Sequence, residues 1–186
     1  MLLSVVICTR NRAPILEKNL QNLKEIFSTI NIEVELIIVD NASSDSTATV
    51  IKVFEKEVPF SVKYIYEAQV GIPIARNTGI RYSNGEWVVF IDDDIFVEKG
   101  WFSILQDNLQ RYSEVAGIAG KIHPLLTSPL PPWLSPFLLF RLRLGLMDWG
   151  DEVLLVRKGQ NDERGIFPTA AVAYQKEALQ QLGGFN

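Results

Sequence analysis

Asp92, Asp93 and Asp94 stand in a row directly behind the apolar run Trp87-Val88-Val89-Phe90-Ile91. Three adjacent carboxylates repel one another, and each prefers water. Where a buried strand ends, they need something positive set against them. Hard cations such as Mg²⁺ and Mn²⁺ take oxygen ligands, and Mg²⁺ sites typically join one or two carboxylates to substrate phosphates. The triplet therefore points to a metal-diphosphate site. Read alone, it fits a solvated acidic turn that caps the following helix equally well.

Two more polar clusters follow apolar runs in the same way. Cys8-Thr9-Arg10-Asn11-Arg12 closes the run from Leu3, and Asp40-Asn41-Ala42-Ser43-Ser44-Asp45 closes the run from Val34. In open α/β sheets, ligands bind outside the carboxyl ends of the strands. Singly, Thr9, Asn11, Asp40 and Ser43 read as ordinary helix caps. Three such strand ends together would form one crevice. No G-x-G-x-x-G follows the first run and no G-x-x-x-x-G-K-[ST] occurs, which argues against NAD and Walker-type phosphate loops. The lone His123 has no second histidine to share a metal with and reads as structural. Cys8, the single cysteine, reads as a small buried residue, and one cysteine cannot close an internal disulfide, which fits a reducing compartment.

The elements that must position these residues alternate. Leu3–Cys8, Val34–Val39, Val62–Tyr66 and Trp87–Ile91 read as buried strands. Between them, 12–30, a segment through Val50, Ile51 and Phe54, and Ile72–Tyr82 read as helices, and Lys99–Tyr112 follows as another. The group Ser43-Ser44-Asp45-Ser46 supplies cap chemistry for the second helix, Pro73 sits near the first turn of the third, and Asn84-Gly85 marks a turn. This pattern predicts an α/β fold, a mostly parallel sheet with helices on both faces. Further on, 115–122 reads as a strand. Five of the nine prolines fall between Pro124 and Pro136, so that stretch reads as loop. Residues 148–164 are polar and irregular, 165–174 returns to the sheet, and 175–182 forms a short helix.

The 186 residues suffice for one domain with a substantial core. With a net charge of -4 and no basic block, the chain is not expected to bind nucleic acid. The start, Met1 to Ile7, reads as a first strand rather than a leader peptide. No apolar stretch is long enough to span a bilayer. Trp133–Met147 comes nearest, broken by Pro136, Arg141, Arg143 and Gly145. It reads as a segment packed on the domain or a partner, with an interfacial membrane contact as the alternative.

The ordered landmarks resemble the large family-two inverting glycosyltransferases. Ser4 to Arg12 looks like their opening strand, and Glu35 to Asp45 like their second strand and uridine loop. Gly71 with Ala75-Arg76-Asn77-Thr78-Gly79-Ile80 is similar to their helix start. Gly85 to Asp94 resembles the strand carrying their D-x-D motif, and Leu182-Gly183-Gly184-Phe185-Asn186 a later landmark. The resemblance implies a GT-A fold, with residues 1–112 as a nucleotide-binding half and 113–186 as an incomplete acceptor-side half. It implies a nucleotide-diphosphate sugar as donor, UDP-linked by preference, a divalent metal (Mn²⁺ or Mg²⁺), and transfer with inversion to a saccharide or lipid-linked acceptor. Such work belongs to cell-wall or polysaccharide assembly, in the cytoplasm or at the inner face of a membrane. Thr9, Asn11 and Arg12 would line the nucleotide pocket. Asp40 would accept an N–H of the base, as uracil offers, with thymine and guanine left open. Arg76 would lie near the base or diphosphate, Asp92 on the ribose or metal side, and Asp94 on the cation, with Asp93 sharing either role.

An inverting transfer needs a carboxylate base beside the acceptor hydroxyl. The resemblance puts that base shortly after Gly183-Gly184-Phe185, so it is expected beyond Asn186. Asp148, Asp151, Glu152 and Asp162 lack that context. The alternative reading is a non-catalytic nucleotide-sugar-binding fragment or inactive remnant. A nucleotidyltransferase would need a glycine-rich basic loop after the first strand, which is missing.

Overall fold

The computed structural model describes residues 1–126, 129, 131–133, 148 and 170–186. Its elements are β1 (Leu2–Thr9), α1 (Ala13–Phe27), β2 (Glu33–Asp40), α2 (Thr47–Glu57), β3 (Ser61–Tyr66), α3 (Ile72–Tyr82), β4 (Trp87–Ile91), α4 (Trp101–Arg111), β5 (Gly117–Ala119), β6 (Ala171–Gln175) and α5 (Lys176–Gln181). They build a six-stranded sheet in the order β3-β2-β1-β4-β6-β5. β3, β2, β1 and β4 run parallel, whereas β6 lies antiparallel between β4 and β5. The expected mostly parallel α/β sheet is what the chain forms.

Alternation along the strands explains the two layers of helices. Leu3, Val5 and Ile7 of β1, with Leu36, Ile38, Val89 and Ile91, pack under the apolar stripes of α1, α2 and α4. Val6, Ile37, Val39, Val88 and Phe90 face the other way, against Ala75 and Ile80 of α3 and Leu179 of α5. β1, β2 and β4, buried on both faces, carry near-continuous apolar runs, whereas β3 at the edge carries Lys63 and stays partly exposed. Gly79 lets α3 lie close on β1, since a Cβ there would run into Val6.

The amino edge of the sheet carries a buried polar knot. Glu35 accepts hydrogen bonds from Ser4 Oγ (2.6 Å), Lys63 Nζ (2.6 Å) and the side chain of Asn84 (3.0 Å). Gly85 N–H donates to Ser4 Oγ at 2.8 Å, which ties the turn before β4 to β1.

Several boundaries differ from the sequence reading. The strand expected over 115–122 shrinks to the three residues of β5, which pair with Tyr174, Ala173 and Val172 of β6. The helix expected to begin at Lys99 begins at Trp101, after Gly100 takes a left-handed backbone (φ 86°). The segment Trp133–Met147, apart from Trp133, and Asp151, Glu152 and Asp162 lie outside the described residues. Among the described residues no helix is long and apolar enough to cross a membrane.

Candidate functional site

Strand register assembles the crevice. Thr9 pairs with Asp40 across β1 and β2, and Asp40 with Tyr66 across β2 and β3, so these ends are level. On the other side Val6 pairs with Phe90, which brings the end of β1 alongside the residues just past β4. There the chain turns at once: Ile95 N–H donates to the Asp92 carbonyl at 3.1 Å.

Inside this turn the three carboxylates part company. Asp93 points inward with its side chain 4% exposed, accepting Thr9 Oγ1–H at 2.7 Å and Arg12 Nη1 at 2.9 Å. Asp92 and Asp94 stay open to solvent, at 43% and 44%. Arg12 Nη2 meets Asp94 at 2.7 Å, and Arg76 Nη2 meets Asp92 at 3.4 Å. Burial pushes the Asp93 carboxyl above its ordinary range, against the Thr9 hydrogen bond and the Arg12 charge. Burial likewise raises Asp92, with Arg76 opposing and Asp94 and Asp93 adding to the rise. Arg12 is held still more firmly protonated, chiefly by its hydrogen bond to Asp94. Three ionised carboxylates against two guanidiniums leave a net negative charge, in a place where two carboxylates face water.

That arrangement fits a hard divalent cation. Among the described residues no three His, Cys, Asp or Glu side chains form a closed metal cage. An Asp92–Asp94 pair with open sides is instead the donor set expected of an ion that completes its shell with phosphate and water.

The neighbouring strand ends form a braced loop. Asp40, 1% exposed, accepts Ser43 N–H at 2.9 Å and the Tyr64 hydroxyl at 3.0 Å. Desolvation and the bond to Asp40 push the Tyr64 hydroxyl up to about 12, so it stays a donor. Asn41 Oδ1 accepts Gly71 N–H at 2.8 Å, and its amide donates to the Gln69 carbonyl at 2.7 Å, fixing the approach to α3. Asn11 takes a left-handed backbone (φ 54°) and accepts Ser44 N–H at 2.7 Å, while its own N–H donates to Ser43 Oγ at 2.9 Å. Its side-chain oxygen is thus spent on joining the β1 and β2 loops.

The cap expected from the Ser43–Ser46 group comes from one of its members. Ser46 precedes α2 but makes no side-chain cap bond, and Ser43 and Ser44 serve Asn11. Asp45 does the capping, and for two helices: one oxygen accepts Thr47 N–H at 3.0 Å, the other Ala13 N–H at 3.1 Å. A carboxylate suits two positive helix N-termini.

Arg76 has a second support, because the Phe185 ring lies 5.5 Å from its guanidinium. Asn77 holds Phe185 in both directions, donating to its carbonyl and accepting its N–H, each at 2.8 Å. Gly184 makes this possible, with φ 80° and no Cβ to strike Asn77. The Gly-Gly-Phe landmark therefore packs behind the aspartate turn. Cys8 is half-buried rather than fully buried, and desolvation pushes its thiol up to about 12. Asp148 lies 3.2 Å from Lys121 Nζ and 3.3 Å from His123 Nε2.

Three asparagines escaped the sequence reading as site residues: Asn19 and Asn22 on α1, and Asn77. Asn19 Nδ2 donates to the carbonyls of Asp92 (3.2 Å) and Ile95 (2.7 Å). Asn22 brackets Val97, accepting its N–H at 2.9 Å and donating to its carbonyl at 3.2 Å. The signal for Asn19 was available, since it falls on the apolar stripe of Leu16, Leu20 and Leu23.

Residues 4–143 match the family model described as Glycosyl transferase family 2. The succinoglycan biosynthesis protein ExoM of Rhizobium meliloti is 26% identical over 132 residues, covering 71% of this chain and 42% of that protein. A mannosyltransferase of Pyrobaculum calidifontis, solved with GDP-Man and Mn²⁺, superposes with a TM-score of 0.66 at 21% identity, covering 99% of this chain and 47% of that one. TarS 1-349 of S. aureus, solved with UDP-GlcNAc, gives 0.60 at 20% identity, over 70% and 37%. The chain spans less than half the length of each.

Proposed function

This chain belongs to glycosyl transferase family 2, and from that premise we propose that the crevice behind β1, β2 and β4 binds a nucleotide-diphosphate sugar, UDP-linked by preference. The full-length protein then transfers the sugar to an acceptor hydroxyl with inversion. One observation carries the reading. The turn after β4 is knitted to Thr9 and Arg12 yet leaves the Asp92 and Asp94 carboxylates each about two-fifths exposed to solvent, with Arg76 and Arg12 beside them. Residues 1–112 act as the donor half, and 113–186 begin the acceptor half.

Asp94, with Asp92, would hold Mn²⁺ or Mg²⁺, which when bound supplies positive charge to a departing diphosphate. Arg12 and Arg76 are already ordered beside these carboxylates, so their guanidiniums can share the diphosphate's charge with little loss of freedom. Asp93, buried, keeps Thr9 and Arg12 in place at the nucleotide's edge. Asp40 takes an N–H of the base, a bond that requires the Tyr64 hydroxyl to share its carboxylate. The GDP-Man and UDP-GlcNAc carried by the two solved neighbours make guanine the competing base. The carboxylate that accepts the proton of the attacking hydroxyl is assigned to the segment after Phe185, whose approach Asn77 fixes.

Calorimetric titration with UDP and Mn²⁺ tests this. Binding is expected with Mn²⁺, weakened at least ~10-fold by EDTA or by Asp94→Ala, the lower end of what disturbing a metal site costs. No binding of UDP or GDP, or binding indifferent to Asp94→Ala, sinks the reading. A donor-binding module without turnover is the second reading. Release of UDP from a UDP-sugar by the full-length protein, in the presence of acceptors, separates the two.

A further inference from the structure

We propose that Asn19 is a positioning residue for the aspartate turn: its side-chain amide fixes the spacing at which Asp92 and Asp94 meet a divalent cation. The inference rests on the donor-site reading above. Asn19 is fully buried, two turns into α1, among Leu16, Leu20 and Leu23. Its Nδ2 donates to the carbonyls of Asp92 and Ile95, the first and last residues of the turn. Arg12, just ahead of the same helix, grips the side chains of Asp93 and Asp94. One rigid helix therefore holds the turn by its backbone and by its carboxylates.

Packing along the apolar stripe gives no reason for an asparagine here, although its Nδ2 also pairs two backbone carbonyls of the turn. A leucine would continue the stripe, whereas Asn19 Oδ1 is the one buried side-chain polar atom among the described residues without a hydrogen-bond partner. Exchanging the amide's two ends gives no relief, since it would aim Oδ1 at two carbonyl oxygens. An orphaned acceptor kept in the core needs an explanation outside packing. Holding the carbonyls of a turn that displays metal-facing carboxylates supplies one. Groups that orient metal ligands without touching the metal commonly change metal affinity by about 10–100-fold when removed.

The test compares Asn19→Leu with the unsubstituted full-length protein in three measurements: melting temperature, the Mn²⁺ concentration for half-maximal UDP binding, and UDP affinity in EDTA. Asn19→Leu is expected to melt lower, since two turn carbonyls lose that donor, to need about ten-fold more Mn²⁺, and to recover binding at saturating Mn²⁺, with UDP affinity in EDTA unchanged. An unchanged Mn²⁺ requirement, or equal losses with and without Mn²⁺, overturns the positioning role. If Asn19→Leu does not fold, Asn19→Ala removes the same amide without adding volume, and the same criteria apply. Hydrogen exchange at the Ile95 amide keeps the two readings apart. Faster exchange in the variant, with no Mn²⁺-dependent UDP binding by the unsubstituted protein, sinks the donor-site reading and not the clamp. Unchanged exchange sinks the clamp itself.

Discussion

Asp92 bears a conflict between holding the fold and holding a ligand. Burial raises its carboxyl, Arg76 offsets part of the rise, and Asp94 and Asp93 add to it. The sign follows directly. A carboxylate whose folded pKa lies above its unfolded value costs stability while ionised, and that cost fades as pH falls toward the folded value. Asp92→Asn should therefore melt slightly higher than the parent at pH 7, by about 1–2 °C for a side chain this exposed, with the gap closing on acidification. Mn²⁺-dependent UDP binding should weaken in the same variant. A lower melting point at pH 7 would show that the 3.4 Å contact with Arg76 outweighs the burial cost. The acidic triplet was legible because three carboxylates after a strand have few physical explanations. Asn19 was less legible: a lone amide on a helix stripe shows what it holds only once the partner backbone is in place.

Among the elements, β1, β2 and β4 were readable because both their faces are covered, so each carries a run of buried apolar residues. β5 was over-read, because its length is set by a partner strand more than fifty residues later, which local pattern does not reveal. The cap of α2 was placed in the right group, but which member supplies it was not readable for a similar reason. Ser43 and Ser44 are cap-forming residues, but the nearby Asn11 loop engages them, and Asp45 serves two helices. The knot at the amino edge offers a prediction at this scale. Burial pushes the Glu35 carboxyl up, but hydrogen bonds from Lys63, Ser4 and Asn84 outweigh it and hold it below the ordinary range. A depressed pKa gives stability that is complete above the unfolded value, about 4.3, and is lost as pH falls through the folded one. Glu35→Gln should cost about 1–3 kcal/mol at pH 7 by denaturant unfolding, with the difference shrinking below about pH 4. A cost independent of pH would mean that shape, not charge, holds the knot.

At the scale of the whole molecule, the sheet separates its duties by edge: the structural knot at the amino ends, the candidate donor site at the carboxyl ends. A ligand at the carboxyl edge joins β1, β2 and β4, so binding should stabilise the entire sheet. With UDP at about a hundred times its dissociation constant, linkage adds roughly 2.7 kcal/mol. In a chain of this length that is about 5–10 °C of melting temperature. The gain should need Mn²⁺ and vanish with EDTA; a gain of equal size in EDTA would assign it to the arginines alone. The strand order has a separate consequence, for synthesis. β6 seats between β4 and β5, so the outer edge of Trp87–Ile91 has no neighbour until residue 171 has been made. At ~5–20 residues per second, the ribosome takes several seconds over the intervening stretch. For that time an apolar strand edge is open to pairing with other nascent chains, and the charges that flank it, Glu86 before and the three carboxylates after, discourage such pairing.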